Sequence, residues 1–115
     1  MNYRSTVAKG PEKKIEEAVM TKLRSQKWFV QKMHGNLYQF GVPDLYVAHK
    51  SYGTRWIELK NPGAFAFTPA QLHRFPEMNA AGVGIWVVTS VEQVPALLFK
   101  PQQWFMYLDP IYAGS

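Results

Sequence analysis

The sequence predicts an α/β fold, a mixed β-sheet flanked by helices, and three observations carry that prediction. Apolar residues recur at helical spacing near the N-terminus; two β-prone runs around a glycine turn read as a hairpin; a capped helix then leads into a continuous apolar strand. The implied order is α-β-β-β-α-β. At 115 residues and 47% hydrophobic content, the chain has enough apolar material for one compact core. We read residues 1–115 as a single domain, with a core over about 11–99 and an aromatic tail at 100–115.

The elements follow in order. Gly10-Pro11 supplies a stop and a first-turn proline, and Ile15, Val19 and Leu23 then form an apolar stripe with Lys13, Lys14, Lys22 and Arg24 outside it. This predicts a helix from roughly Pro11 to Gln26. Trp28-Phe29-Val30 is a short β-prone segment, and Gly35-Asn36 and Gly41 mark a loop. Leu45 to Ala48 and Thr54 to Leu59 are the hairpin strands, turning through Ser51-Tyr52-Gly53. Asn61-Pro62-Gly63 ends the hairpin. Thr68-Pro69-Ala70-Gln71 then combines an N-cap threonine, an N1 proline and the glutamine of a capping box.

That second helix should stop at Gly82, because Gly84-Ile85-Trp86-Val87-Val88 reads as a strand buried in a sheet interior. Strand, helix, strand implies a right-handed parallel crossover. A short helix is expected near Pro95 to Phe99. The tail Trp104-Phe105-Met106-Tyr107 has two readings: Trp104, Phe105 and Tyr107 form an exposed interface, or they pack on their own domain. Met20, Trp28, Trp56, Phe75 and Trp86 are assigned to the core.

Composition narrows the chemistry. Thirteen Lys+Arg against 8 Asp+Glu give a formal +5 and a pI near 9.6, a balance that suits a polyanion such as nucleic acid and also serves simple solubility. With no cysteine, disulfides and thiolate metal sites are excluded, so any metal must be held by oxygen or imidazole. His34, His49 and His73 lack the spacing of a zinc site. Met1 to Gly10 carries no apolar signal core and no long apolar run occurs, so we expect a soluble, cytoplasmic chain with no membrane association.

The residues that carry chemistry sit on the hairpin. Alternation puts Glu58 and Lys60 on one side of their strand and Ile57 and Leu59 on the other, which predicts one polar, reactive face. Leu45 and Val47 are the apolar face of the preceding strand, so Asp44 points the opposite way. Asp44 and Glu58 are equidistant from Ser51 in the turn, which makes them cross-strand neighbours. Facing side chains have Cβ atoms about 4.5 to 5.5 Å apart, where two carboxylates repel unless a cation lies between them. Oxygen ligands of this kind suit Mg²⁺ or Mn²⁺, with the Leu59 carbonyl as a further donor. Lys60 would then orient or deprotonate an attacking water, or stabilise developing negative charge. Taken singly, Pro43-Asp44 is an ordinary turn end and Glu58-Leu59-Lys60 an ordinary sheet surface; it is their facing placement that makes a site.

Gly41-Val42-Pro43-Asp44 followed by Trp56-Ile57-Glu58-Leu59-Lys60 resembles the signature of the PD-(D/E)xK nuclease superfamily. With Gln71 downstream, the wording is most similar to the virus-type replication-repair nuclease branch, VRR-NUC, over roughly Glu12 to Ser90. The resemblance implies a restriction-endonuclease-like core and a Mg²⁺- or Mn²⁺-dependent phosphodiesterase with one or two metals. It also implies kinship with small stand-alone phage members that act on branched DNA, such as four-way Holliday junctions, as homodimers. A nicking or sequence-selective endonuclease of the same fold and a catalytically silent nucleic-acid-binding module are the alternatives. It further implies a metal-side glutamate on the first helix. Glu16 is preferred for its place beside the buried stripe, with Glu12 one turn earlier as the other choice. Gln71 fits the family's downstream glutamine, but it also occupies the capping-box position, so two roles compete for one side chain.

For DNA contact, the loop Lys32-Met33-His34-Gly35-Asn36-Leu37-Tyr38 combines a cation, an imidazole and an aromatic ring just ahead of Asp44. Lys32, His34, Asn36 and Tyr38 are its candidate contacts. Lys50 and Arg55, with Lys9 and Arg4, are further phosphate candidates.

Overall fold

The computed structural model describes residues 10–33, 41–62, 66–99 and 103–108. Its elements are α1 (Gly10–Ser25), β1 (Phe29–Lys32), β2 (Leu45–His49), β3 (Gly53–Leu59), α2 (Pro69–Ala80), β4 (Ile85–Val88) and α3 (Val94–Phe99), with 3-10 turns at Val91–Gln93 and Trp104–Leu108. The expected α/β order is present. One four-stranded sheet runs β1-β2-β3-β4, with the first two pairings antiparallel and the β3–β4 pairing parallel. The parallel pair is what a helical crossover between two neighbouring strands requires.

One face of the sheet packs on α1 and α3. Val19 and Leu23 of α1 are fully buried against Val30, Leu45, Val47, Ile57, Leu59 and Val88, with Val94 and Leu98 closing the layer. Helix α1 ends in a reciprocal turn: the Trp28 N–H donates to Leu23 O and the Lys27 N–H to Arg24 O, with Lys27 at φ 73°. Trp28 therefore belongs to the closing turn of the helix. The strand expected at Trp28 starts one residue later, at Phe29, because the Trp28 N–H is already taken. Trp28 also stacks on Tyr52, with ring centroids 5.9 Å apart, and meets His49 at 5.1 Å, which pins the hairpin tip to the end of α1.

The opposite face holds a second apolar cluster of Phe75, Ile85, Val87 and Trp104, flanked by partly buried Trp56, Phe67, Met78 and Val83. This corrects the expectation of a polar face. Glu58 and Lys60 stand at one end of a face whose β4 side is apolar and covered by α2 and Trp104. Trp104 settles the alternative left open for the tail: it is buried, its ring 5.6 Å from Phe75 and 6.0 Å from Phe67. Gln103 bridges to Trp86 and its side-chain oxygen accepts from the Ile85 N–H, so this segment packs on its own domain. Phe105 is exposed, and the side chain of Tyr107 lies outside the described part. Among the assigned core residues, Trp28, Phe75 and Trp86 are buried, and Met20 and Trp56 are half-buried. Among the described residues no helix is long and apolar enough to cross a membrane.

Candidate active site

The β2–β3 ladder sets Leu45 against Ile57 as its last pair, so the next residues outward, Asp44 and Glu58, face each other. Asp44 is held from both sides. Its carbonyl accepts the Met33 N–H at 2.8 Å from the β1 side, and its Oδ2 accepts the Leu59 N–H at 2.8 Å from β3. The carboxylate thus takes the N–H that backbone pairing would otherwise occupy where β2 leaves the ladder at Pro43. The glycine before it is also constrained. Gly41 has φ 79°, and a Cβ there would lie 2.6 Å from the Ala70 carbonyl oxygen, so only glycine lets this segment pass against α2.

Glu58, Lys60 and Gln71 form one buried network. Gln71 Nε2 donates to Glu58 Oε2 at 2.6 Å, Lys60 Nζ donates to Gln71 Oε1 at 2.9 Å, and Lys60 Nζ lies 3.2 Å from Glu58 Oε2. All three residues are less than a tenth exposed. A charged pair this deep needs its remaining polar positions satisfied, and the glutamine amide supplies both a donor and an acceptor. The Lys60 ammonium also sits over the Phe67 ring, 5.1 Å from its centroid. Phe67 is not among the candidates drawn from the sequence. The available signal was its position immediately before the N-cap threonine, where an apolar residue habitually fixes the entry of the chain into a helix.

Gln71 also completes the capping box. Its Oε1 accepts the Thr68 N–H at 3.0 Å while its own backbone N–H donates to Thr68 Oγ1 at 3.1 Å. The two roles do not compete, because an amide oxygen has two lone pairs: one receives the N-cap backbone and the other the Lys60 ammonium.

The remaining predicted residues are placed as follows. Glu16 is buried on α1, and its Oε1 lies 3.2 Å from Lys32 Nζ. Lys32 pairs with Leu45, the residue after Asp44, which sets Glu16 at the Asp44 end of the sheet, on its α1 side. Among the described residues no group of three His, Asp or Glu side chains is close enough together to hold a metal ion. The side chain of Glu12 lies outside the described part, as do His34, Asn36 and Tyr38. Lys50 is exposed at the hairpin tip, beside the β2–β3 turn.

Arg55 is half-buried and engaged within its own domain. Its guanidinium donates to the carbonyls of Tyr52, Thr54 and Leu98 and lies 4.8 Å from the Trp86 ring centroid. The reason is register: Arg55 pairs with Val47 on the α1 face, where its stem is drawn into the packing. His49 belongs to the aromatic cluster and accepts the Ser51 N–H through Nδ1; His73 is exposed, 3.8 Å from Glu77.

No family model and no curated protein matches the chain. Among solved structures it is similar to one described as a VRR_NUC domain, with 21% identity and a TM-score of 0.67, over 81% of this chain and 99% of that one. The likeness spans essentially the whole of that domain, so a complete fold is shared and not a fragment. The chain has the fold of the VRR_NUC domain, the arrangement that its Gly-Val-Pro-Asp and Glu-Leu-Lys segments led us to expect.

Proposed function

We propose that this protein is a metal-dependent DNA endonuclease that hydrolyses phosphodiester bonds at Asp44, Glu58 and Lys60. The observation that carries the reading is the buried Glu58–Lys60–Gln71 network facing Asp44 at the end of the β2–β3 hairpin. Burying a lysine and a glutamate is costly, and a hydrophobic pair of similar size would stabilise the fold as well or better, so their retention at a strand end points to chemistry.

The donor set fits a hard divalent cation, because Asp44, Glu58 and the Leu59 carbonyl present only oxygens and two of them are facing carboxylates. We assign these, with Glu16 from α1, to one or two Mg²⁺ or Mn²⁺ ions. Such an ion, when bound, neutralises charge on the scissile phosphate and lowers the pKa of water. The chain itself contributes orientation. Lys60 is aimed by Gln71 and Glu58 and backed by Phe67, so its ammonium is poised to align the attacking water or to meet charge developing on the phosphate. Gln71 keeps that ammonium in register, and the Leu59 N–H fixes the Asp44 carboxylate.

Branched DNA as the preferred substrate and a homodimer as the working unit rest on the sequence resemblance. Twofold symmetry would present two sites to two strands, which a single small domain cannot do in one encounter. The test is a panel of linear, nicked, flap and four-way-junction DNA incubated with Mg²⁺, Mn²⁺ or EDTA, using wild type, Asp44→Asn and Lys60→Met. We expect metal-dependent cleavage that favours the junction and falls by about a hundredfold or more in both variants. Wild-type activity in EDTA, cleavage of no DNA form, or undiminished cleavage by the variants would overturn the assignment. Sedimentation of the wild type decides the dimer.

A further inference from the structure

The sheet face that carries Asp44 and Glu58 also carries a row of aromatic rings that α2 leaves partly uncovered. Along β2, Tyr46 is two residues from Asp44 on the same side; along β3, Trp56 is two residues from Glu58 on the same side. Tyr46 and Trp56 are directly paired across the strands, with ring centroids 5.1 Å apart. Phe29 on the edge strand β1 continues the row, 6.4 Å from Tyr46 and edge-on to it. Helix α2 and Trp104 cover the β4 end of this face through Phe75, Ile85 and Val87, and the exposure grows toward β1, where Phe29 is 57% exposed.

We propose that Trp56, Tyr46 and Phe29 form a stacking platform for the unpaired bases of a single nucleic-acid strand passing through the catalytic carboxylates. The proposal rests on the nuclease reading above and adds to it where the strand is read: nucleotides that unpair at a branch point, beside the scissile phosphate, would stack here. Two arguments select this occupant. The row is continuous with the site, each of its inner rings lying about 7 Å along a strand from a carboxylate, a reach of a nucleotide or two. The charge also matches a polyanion. The other residues of this face on β1 to β3 are Gln31, Ala48 and Thr54, all uncharged, and exposed Lys27 and Lys50 flank its far end in a chain of net charge +5. Aromatic faces accept any base, so the platform confers preference for strand state and not for sequence.

The experiment measures anisotropy of a fluorescein-labelled oligodeoxythymidine of about twelve nucleotides, in EDTA so that binding is read apart from cleavage. An abasic strand of the same length reports phosphate contacts alone. We expect Phe29→Ala and Tyr46→Ala each to weaken the thymidine strand by about tenfold, and Tyr46→Phe to stay near wild type. The abasic strand should bind wild type and variants alike. Phe29 is more than half exposed, so its alanine variant tests the idea without threatening the fold. Equal affinity of wild type and both alanine variants for the thymidine strand overturns the platform. Loss of a dimer in sedimentation by Phe29→Ala, with oligonucleotide affinity unchanged, also overturns it and assigns the face to a second copy of the chain. A wild type that cuts nothing but shows the expected binding losses would sink the nuclease reading and leave the platform standing.

Discussion

Lys60 and Glu58 are a buried pair in which each charge depends on the other, and the consequences can be measured at the level of single residues. Lys60→Met takes the ammonium from beside the Glu58 carboxylate in a site less than a tenth exposed, and should cost about 3 kcal/mol at neutral pH in urea unfolding. Adding Glu58→Gln should recover most of that loss, since both charges are then gone; a double variant no more stable than the single one would contradict the coupling. Gln71→Ala removes the acceptor for Thr68 and Lys60 together and should cost about 2 kcal/mol, against about 1 kcal/mol for Thr68→Ala. At this scale the sequence was informative where alternation and pairing decide direction, as for Asp44 facing Glu58. It was uninformative where three-dimensional packing decides. The contact of Arg55 with Trp86 depends on a partner 31 positions along the chain, which no local pattern reveals, and although the helix entry marks Phe67, nothing local places its ring under Lys60.

The two longer helices end in the same hydrogen-bonded turn with different residues at its left-handed position. In α2 that position is Gly82 at φ 90°, with the Val83 N–H donating to Met78 O and the Gly82 N–H to Asn79 O. In α1 it is Lys27 at φ 73°, a conformation that costs a side-chain-bearing residue about 1 kcal/mol or more. Lys27→Gly should therefore raise the unfolding free energy by about 1 kcal/mol, read from the urea midpoint. The opposite holds at Gly41, where alanine meets both a positive φ and the Ala70 carbonyl. Gly41→Ala should lose at least about 2 kcal/mol and, by shifting the segment that leads to Asp44, lower the cleavage rate as well. Helix and strand identities were legible because periodicity and caps are local signals. The start of β1 was not: a lysine is a poor marker for a helix end, so Trp28 looked like strand when its N–H was closing α1.

For the whole molecule, the decisive feature is a sheet packed along one face and at the β4 end of the other, with the reactive residues at its end. The local pattern Glu58-Leu59-Lys60 suggested a polar face because alternation reports only which side a residue takes. It does not report what α2 and Trp104 bring to that side. Net charge, by contrast, is a property of the sequence and carries its own expectation. Affinity for DNA should fall steeply with salt, and Lys32→Ala should flatten the slope of log affinity against log salt by about one, provided Lys32 exchanges Glu16 for phosphate on binding. An unchanged slope would keep Lys32 as a partner of Glu16 alone. The double use of Gln71 has a consequence for descent. In most enzymes a functional side chain is held at some expense of stability, so a lineage that abandons the reaction is free to lose it. Here the same amide closes the first turn of α2, and drift after loss of activity would still be penalised for changing it. A relative that retains this glutamine has said nothing about whether it still cuts; the positions equivalent to Asp44 and Lys60 are the ones that would tell.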